Sequence, residues 1–582
     1  MIRLLEFAAL TLICMFPLVV IGHTFTPGDL HTSKDFAINL INGIAVVILI
    51  VTLWAYTGRS NEMIALILVA AGTVISLIRL LPKRRHLTRD FPKIFLHLGA
   101  SSLSAQLMYL TVGLSGSLYM RLLPFTNANN DMASFVAGAD NLNHSGFQEF
   151  WRVQYFGIAS GTKNEFTGAS ALISFISRLT HLETWRVAIP VMGIVTAATI
   201  LILLELCRQL GIKSLILKSV AVVWSLHAPL SATVQNDYFL SQGLARLFTL
   251  VQIVLITECI VSKSHNKSRT VISIAISTGA LLVSYSAGAG LCLLVAGLWL
   301  TCLVIGYSPQ VETLKRSIFV VIGWAIGFII VAPRWDSIIE NLRFFSTPNI
   351  TGWPARTMLP SVLLGAGPEF GKFVPTWITA LMIAAIGIFA VLSIAQKQRM
   401  MSLTSSSVLM LIGLIVLMGS LGLRFGSTTY QTWKAWGTFQ ALLIILLIVL
   451  AERGASHFLK SGPNVLAILL LPIAVFAVYS SQDTYRDVTV VPSKGLIQAS
   501  SDPQLKEIPS LVMRFRPYFE TMISSIIVDV QNSQFGSDTY LGPAQLGGDC
   551  VLGLKTLVDP SAPVLRRYGR VVLTGEKTCL TP

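Results

Sequence analysis

Long apolar stretches recur along most of the chain, and such stretches fold as helices that cross a lipid bilayer. One crossing needs roughly 20 mainly apolar residues. The stretch 271–305 would extend ~52 Å as one helix, so the small and polar residues 284–288 predict a turn between two spans. Together the segments predict a mainly α, polytopic transmembrane helical bundle of 13–14 spans. The fourteen candidates lie near 5–23, 36–56, 62–81, 94–116, 186–207, 214–232, 243–261, 271–285, 288–305, 317–332, 376–395, 403–422, 437–451 and 465–480.

Composition supports a membrane protein and argues against a nucleic-acid partner. The 582 residues are 53% hydrophobic and only 12% charged, whereas about 25% of the residues in soluble domains are charged. The formal net charge is +15. Charged residues are too sparse to form a basic face for nucleic acid, so the positions of the positive charges become the informative feature.

Lys and Arg cluster in short loops that fall on one side of the membrane if the spans alternate. Because such loops face the cytoplasm, the opposite side receives 117–185, 233–242, 333–375, 424–436 and 481–582. The first three segments leave the side of the N-terminus open, since one of them need not cross fully. The six basic loops lie near 83–93, 208–218, 263–269, 315–316, 397–399 and 453–460.

The last hundred residues predict a separate domain. Segment 481–582 holds ten Lys or Arg and ten Asp or Glu, and it has short β-prone runs at 526–528 and 571–573. We expect a small extracytoplasmic α/β domain, after N-terminal transmembrane segments (1–93) and a transmembrane module (94–480). Its only cysteines, Cys550 and Cys579, are predicted to form a disulfide because an extracytoplasmic compartment permits it. Two buried thiols are the alternative.

The large outer loop 117–185 contains the first candidate catalytic residue. Pro124 and a run of Asn residues precede Asp131, which then opens a helical stretch just above the membrane. A carboxylate there can take a proton from an attacking sugar hydroxyl. The alternative is that Asp131 only caps the helix.

Other outer loops hold residues suited to a lipid phosphate or a sugar. Arg356, Arg424 and Lys434 are cations that can hold a phosphate by charge-assisted hydrogen bonds, although long basic side chains near a membrane also snorkel to the interface. Aromatic and acidic side chains suit sugar faces and hydroxyls, and aromatic residues also mark interfacial helices. The candidates for acceptor or sugar contacts are Asp140, Trp151, Asp237, Tyr238, Tyr430 and Trp433.

Over roughly 94–582, this arrangement resembles the glycosyltransferase C (GT-C) superfamily, whose members use polyprenyl-phosphate-linked sugars. The matching features are Asp131 within Asn129-Asn130-Asp131-Met132, interfacial helices near 149–180, and a short outer loop with residues 236–238. A loop with Tyr430, Gln431, Trp433 and Lys434 before the last spans and a small C-terminal domain complete the pattern. In contrast to the usual family pattern, three hydrophobic segments precede the carboxylate loop.

The resemblance implies an inverting membrane glycosyltransferase with Asp131 as general base and outer cations for the donor phosphate. Its partners would be membrane lipid, a polyprenyl-phosphate sugar and an extracytoplasmic glycan or glycolipid acceptor, in a bacterial plasma membrane. Sequons at Asn143 and Asn349 leave a eukaryotic membrane open. Besides the lipid-linked donor, no cofactor is assigned: a divalent metal stays open but is not indicated, because the first outer loop lacks an Asp-Asp or Glu-x-Asp pair.

Two other functions stay open from the sequence. A transporter or flippase of lipid-linked glycans would also be polytopic and basic on one side, but it should carry ionisable residues at the centres of its spans. Here the clearest charge within a span, Arg246, lies near an outer end. A non-catalytic cell-envelope assembly protein is the third reading.

Overall fold

The chain is mainly helical, as predicted. A computed structural model describes 2–26, 32–80, the single positions 92, 96, 99 and 100, 130–144, 146–147, 167–236, 239–262, 266–306, 310–346, 402–425, 430–458, 462–487, 493–508, 511–514, 533–535, 550–576 and 579. Up to residue 240 the helices are α1 (Ile2–Phe25), α2 (Ser33–Trp54), α3 (Glu62–Leu80), α4 (Asn130–His144), α5 (Thr167–Thr180), α6 (Thr184–Gln209), α7 (Leu215–His227) and α8 (Pro229–Asn236). Then follow α9 (Leu240–Val261), α10 (Lys267–Ser284), α11 (Ser286–Gly306), α12 (Gln310–Ile330), α13 (Trp335–Ser346), α14 (Ser402–Phe425), α15 (Tyr430–Phe458) and α16 (Gly462–Asp487).

Within these ranges, eight helices are long and apolar enough to cross a membrane, namely α2, α6, α9, α11, α12, α14, α15 and α16. Shorter apolar stretches lie in α1, α3 and α7. Helices α12, α14 and α16 leave many aliphatic side chains exposed, with Ile329, Leu423 and Ile468 each more than two thirds accessible. A broad apolar surface of this kind suits contact with lipid. Apart from positions 96, 99 and 100, the predicted spans near 94–116 and 376–395 lie outside the described residues.

Two predicted spans differ in detail. The segment 214–232 is not one helix, because α7 ends at His227 and α8 begins at Pro229. Proline lacks the backbone N–H and clashes with the carbonyl four residues earlier, so it ends the helix that precedes it. Helix α10 is not among the eight apolar helices, since Lys267, Arg269 and several hydroxyl side chains belong to its 18 residues.

Basic loops that are far apart in sequence meet at one end of the bundle. Lys213 donates its backbone N–H to Glu452 at 3.1 Å, and Arg453 donates to the carbonyl of Leu210 at 3.0 Å. Similarly, Arg316 donates to the carbonyl of Ser262 at 2.7 Å, which joins the loops at 263–269 and 315–316. Four of the six basic loops therefore share what we call the basic end, and the positive-inside rule predicts that this end is cytoplasmic.

Glycines set the spacing between α10 and α12. A Cβ atom on Gly323 would lie 2.8 Å from Ile274 Cγ2, and one on Gly327 would lie 2.6 Å from Thr278 Cβ. The two glycines form a Gly-x-x-x-Gly pattern, which lets helix backbones approach closely within a membrane. This contact holds α10, and therefore the residues at its C-terminal end, in a fixed position.

We expect Gly327→Ala to lower the thermal stability of the purified protein. The added methyl group has no space, and such overpacking costs about 1–3 kcal/mol. Gly419→Ala in α14 is the matched control, since nothing lies within 4 Å of its Cβ position and alanine favours a helix more than glycine does. Melting curves in one detergent should show a lower Tm for Gly327→Ala alone. Equal melting temperatures for the two variants would contradict close packing at this crossing.

The C-terminal region forms the small α/β domain predicted from the sequence. It contains α17 (Lys494–Ser500), α18 (Pro503–Lys506) and the strands β1 (Leu511–Arg514), β2 (Ser533–Phe535), β3 (Cys550–Leu554), β4 (Val564–Tyr568) and β5 (Val571–Gly575). The sheet order is β2-β1-β3-β5-β4, with parallel pairs on the β1 side and antiparallel pairs on the β5 side. The predicted disulfide is confirmed, because Cys550 and Cys579 are bonded. The predicted β-prone run at 526–528 lies outside the described residues.

Candidate active site

Asp131 lies in the first turn of α4, at the end of the bundle opposite the basic end. Helix α4 begins at Asn130, one residue before Asp131, so the capping position precedes this carboxylate. A negative charge in the first turn is favourable at the positive end of a helix dipole. Helix α4 is not a candidate span, and its first carboxylate is directed at a neighbouring helix.

The nearest cation to this carboxylate in the described ion pairs is Lys434 of α15. Lys434 Nζ lies 4.0 Å from Asp131 Oδ2, and the lysine side chain is only 6% exposed. Its ammonium group also lies over the ring of Phe239, 2.8 Å from the ring centroid. Phe239 packs edge-on against Trp433 at a centroid distance of 5.6 Å. An acidic and a basic residue that the sequence placed in different outer loops are therefore neighbours.

A network of buried amides fixes the backbone around Lys434. Gln242 donates from Nε2 to the carbonyl of Lys434 at 2.7 Å and to Thr438 Oγ1 at 3.0 Å. Gln440 Oε1, almost two turns further along α15 than Lys434, accepts the backbone N–H groups of Leu230 and Ser231 at 3.1 and 2.9 Å. These two N–H groups belong to the first turn of α8 and have no partner within that helix. The network thus ties α8, α9 and α15 together at the site.

Arg246 supports the same network and is not a ligand-facing charge. It is 2% exposed, and its Nη1 donates to the hydroxyl and the carbonyl of Ser231 at 2.8 and 3.1 Å. A buried guanidinium needs such partners because an unpaired buried charge is costly. Arg246 is the clearest charge within a predicted span. Its position near an end of α9 and its bonds to Ser231 of α8 explain how the span tolerates this charge.

An amphipathic cavity of about 220 Å³ adjoins Lys434. Its walls are mostly aliphatic and aromatic, with a few polar side chains on the side of α15. Leu291, Leu342, Leu421, Phe425 and Phe439 supply the apolar walls, and Tyr285, Gln431, Lys434 and Thr438 supply the polar ones. Such a cavity suits a ligand that has both an anionic group and a hydrocarbon chain.

Burial raises the pKa of the Asp131 carboxyl above its ordinary value, and the nearby Lys434 ammonium opposes that rise. The side chain keeps 29% of its surface accessible, so burial is incomplete. A carboxylate with a raised pKa accepts a proton more readily than an ordinary one and suits general-base catalysis near neutral pH.

Asp140 lies in a second, more polar cavity of about 260 Å³. It accepts a hydrogen bond from Thr184 Oγ1 at 2.5 Å, and Asn143, Arg178 and Trp185 line the same space. Asp140 is nine residues after Asp131, which places them on opposite faces of α4 and ~13 Å apart along its axis. The structure therefore does not bring Asp140 to the Lys434 site, and its role in acceptor binding stays a prediction.

The remaining predicted site residues are placed as follows. Arg424 is exposed at the end of α14 and stacks on the ring of Phe425, 5.3 Å from the centroid. Trp433 is buried among Leu230, Phe239 and Trp436, so it supports Lys434 from the protein interior. Tyr430 begins α15, and its side chain is not described. Outside the described residues lie Trp151, Asp237, Tyr238 and Arg356. Among the residues that the structure describes, no cluster of His, Cys, Asp or Glu side chains could hold a metal ion.

Structural comparison relates the chain to membrane glycosyltransferases. The arabinofuranosyltransferase AftD from Mycobacteria matches with a TM-score of 0.50 at 14% sequence identity, over 82% of this chain and 39% of AftD. The chain thus spans about two fifths of the length of that protein. A mutant form of AftD (R1389S) matches with a TM-score of 0.48 at 12% identity, over 82% and 41% of the two chains.

ArnT from Cupriavidus metallidurans, in the apo state, matches with a TM-score of 0.38 at 13% identity, over 71% of this chain and 88% of ArnT. No family model and no curated protein sequence matches the chain. At 14% identity, the likeness to AftD shows a shared fold, in agreement with the fold that the sequence predicts.

Proposed function

We propose that the protein is a membrane glycosyltransferase that moves a sugar from a polyprenyl-phosphate donor to an extracytoplasmic glycan or glycolipid. The observation that carries this proposal is the placement of Asp131 beside Lys434, whose side chain lines the amphipathic cavity. A carboxylate, a cation and an apolar groove are the three groups that transfer from a lipid phosphate requires. The shared fold with AftD supports the same class of reaction.

The donor fits the cavity in one orientation. Its phosphate lies at Lys434, and its first prenyl carbons pack against Leu291, Leu421 and Phe439. The longer part of the tail continues into the surrounding lipid. Cleavage of the phosphate linkage supplies the driving force for transfer, so the site has no need of a nucleotide.

The reaction is a single displacement. Asp131 takes the proton from an acceptor hydroxyl as the hydroxyl oxygen attacks the anomeric carbon. The bond between that carbon and the phosphate oxygen breaks, and the electron pair leaves with the polyprenyl phosphate. Lys434 stabilises the negative charge on the departing phosphate. Attack opposite the leaving group inverts the configuration of the anomeric carbon.

With 4.0 Å between Lys434 Nζ and Asp131 Oδ2, we infer that the lysine side chain turns from the carboxylate toward the phosphate as the donor binds. Asp131 then loses the cation that opposes the rise of its pKa. Donor binding in this way makes the carboxylate a stronger base at the time when a base is needed.

The proposal is tested by transfer with purified protein in nanodiscs. A panel of polyprenyl-phosphate sugars is supplied with cell-envelope glycan acceptors, and a polyprenyl-phosphate arabinofuranose is the first donor because AftD is an arabinofuranosyltransferase. We expect release of polyprenyl phosphate together with one new glycosidic bond of inverted configuration. Lipid-linked glycan crossing the bilayer without transfer would favour the flippase reading, and transfer with retained configuration would exclude a single displacement.

A further inference from the structure

Tyr285 lies on the cavity wall beside Lys434, at the break between α10 and α11. It is the single non-helical residue between Ser284 and Ser286, and its backbone angles (φ −150°, ψ 57°) differ from those of both helices. The side chain is 7% exposed and lines the same cavity as Lys434.

Gly288 holds the Tyr285 ring in this place. A Cβ atom on Gly288 would lie 2.1 Å from Tyr285 Cε1 and 2.5 Å from Cδ1, so the ring rests directly on the glycine. No other residue leaves space for the ring there. Gly288 and Ala287 line the cavity as well, which puts the first turn of α11 on the cavity wall.

We propose that the Tyr285 hydroxyl donates a hydrogen bond to the phosphate of the lipid carrier, between the Lys434 ammonium and the first turn of α11. A phosphate offers several acceptor oxygens, and a phenolic O–H is a good donor to them. The backbone N–H of Gly288 already donates to the carbonyl of Tyr285 at 3.0 Å, so the first turn of α11 contributes the positive end of its helix dipole, which favours an anion. Tyr285, Lys434 and the first turn of α11 all line one cavity. This inference rests on the proposed function, because it assigns a further ligand for the same donor.

Binding of farnesyl phosphate, a short prenyl monophosphate, tests the inference without knowledge of the sugar. Affinity is measured with the full chain in nanodiscs, and farnesol serves as the ligand without phosphate. We expect Tyr285→Phe to weaken farnesyl phosphate about 10-fold or more and to leave farnesol unchanged. Gly288→Ala should weaken farnesyl phosphate too, because its methyl group displaces the ring.

Gly290→Ala is the matched control on the same helix. Its Cβ would lie 3.7 Å from Leu342 Cδ2, an ordinary contact, so affinity should stay as in the wild type. In a Tyr285→Phe background, Gly288→Ala should no longer reduce the preference for the phosphate, since the hydroxyl is already gone.

Three results would overturn the inference, and they separate it from the proposed function. If Tyr285→Phe weakens farnesol and farnesyl phosphate equally, Tyr285 only shapes the apolar wall. If the preference for the phosphate depends on Lys434 but not on Tyr285, the donor class stands and the tyrosine ligand fails. If the wild type shows no preference for the phosphate at all, the proposed donor fails together with the inference.

Discussion

Replacing Asp131 with Asn is expected to lower the rate of sugar transfer at least ~100-fold while donor binding persists. General-base catalysis typically contributes 10²–10⁴-fold to a rate, and an amide cannot accept the proton of the attacking hydroxyl. Asn keeps the size of the side chain and a carbonyl oxygen, so α4 should form as before. The effect should appear in kcat, and the affinity for farnesyl phosphate should not weaken, because Lys434 remains.

Asp336→Asn is the matched control for this variant. Asp336 also lies in the first turn of a helix, α13, and it is exposed. The same change there removes one negative charge from a helix N-terminus without touching the cavity. A large loss of transfer in both variants would point to a general effect of charge, and near-normal transfer by Asp131→Asn would exclude Asp131 as the base.

The fold was predictable to the extent that it follows from local chemistry. Hydropathy is sufficient to locate helices such as α6, α9 and α15, because each must bury or shield its own backbone in lipid. The break at Pro229 follows from the same local rules, but hydropathy alone does not register it, since apolar residues continue on both sides of the proline. Cys550 and Cys579 could be paired because the domain has no other cysteine.

The site was predictable in its parts and not in its assembly. The sequence predicts Asp131 and Lys434 as site residues because both are ionisable and lie in outer loops, but more than half of the chain separates them. The packing of α8, α9 and α15 fixes the lysine, and bonds from α5 and α6 to α4 fix the helix that carries the carboxylate. Asp140 shows the converse, since proximity in sequence to Asp131 does not place it at the same face of α4.

Some residues at the site and at helix contacts are not predicted from the sequence, because their roles depend on contacts with other parts of the chain. Tyr285 lies within the predicted turn 284–288, and the glycine three residues later is compatible with a side chain packed closely against the backbone. Gln242 resembles any polar residue near the end of a span, and its role depends on a carbonyl in another helix. The Gly323–Gly327 pattern is readable from the sequence, but its partner helix is not, because close approach is a property of two surfaces.

Lys434→Met should weaken farnesyl phosphate roughly 10-fold to 100-fold, since a charge-assisted hydrogen bond contributes about 1.5–3 kcal/mol. Methionine fills most of the space of the lysine stem and suits contact with the Phe239 ring. Loss of one partner of a buried ion pair is destabilising, but the Asp131 carboxylate keeps 29% of its surface accessible to water, so the variant should still be obtained in folded form. Affinity for farnesol should change little, because the cavity walls remain.

The same variant should move the pH dependence of transfer in a defined direction. Transfer requires deprotonated Asp131, so the rate falls as the pH drops through the pKa of that carboxyl. Burial raises this pKa and Lys434 opposes the rise. Removal of the ammonium therefore raises the pKa further, and the acid limb of kcat/KM, which reports the free enzyme, should shift to higher pH.

Lys434→Arg keeps the charge and should leave the limb near its wild-type position, even if its fork-shaped head binds the phosphate less well. An acid limb that stays in place in Lys434→Met would show that the group titrating in the rate is not Asp131.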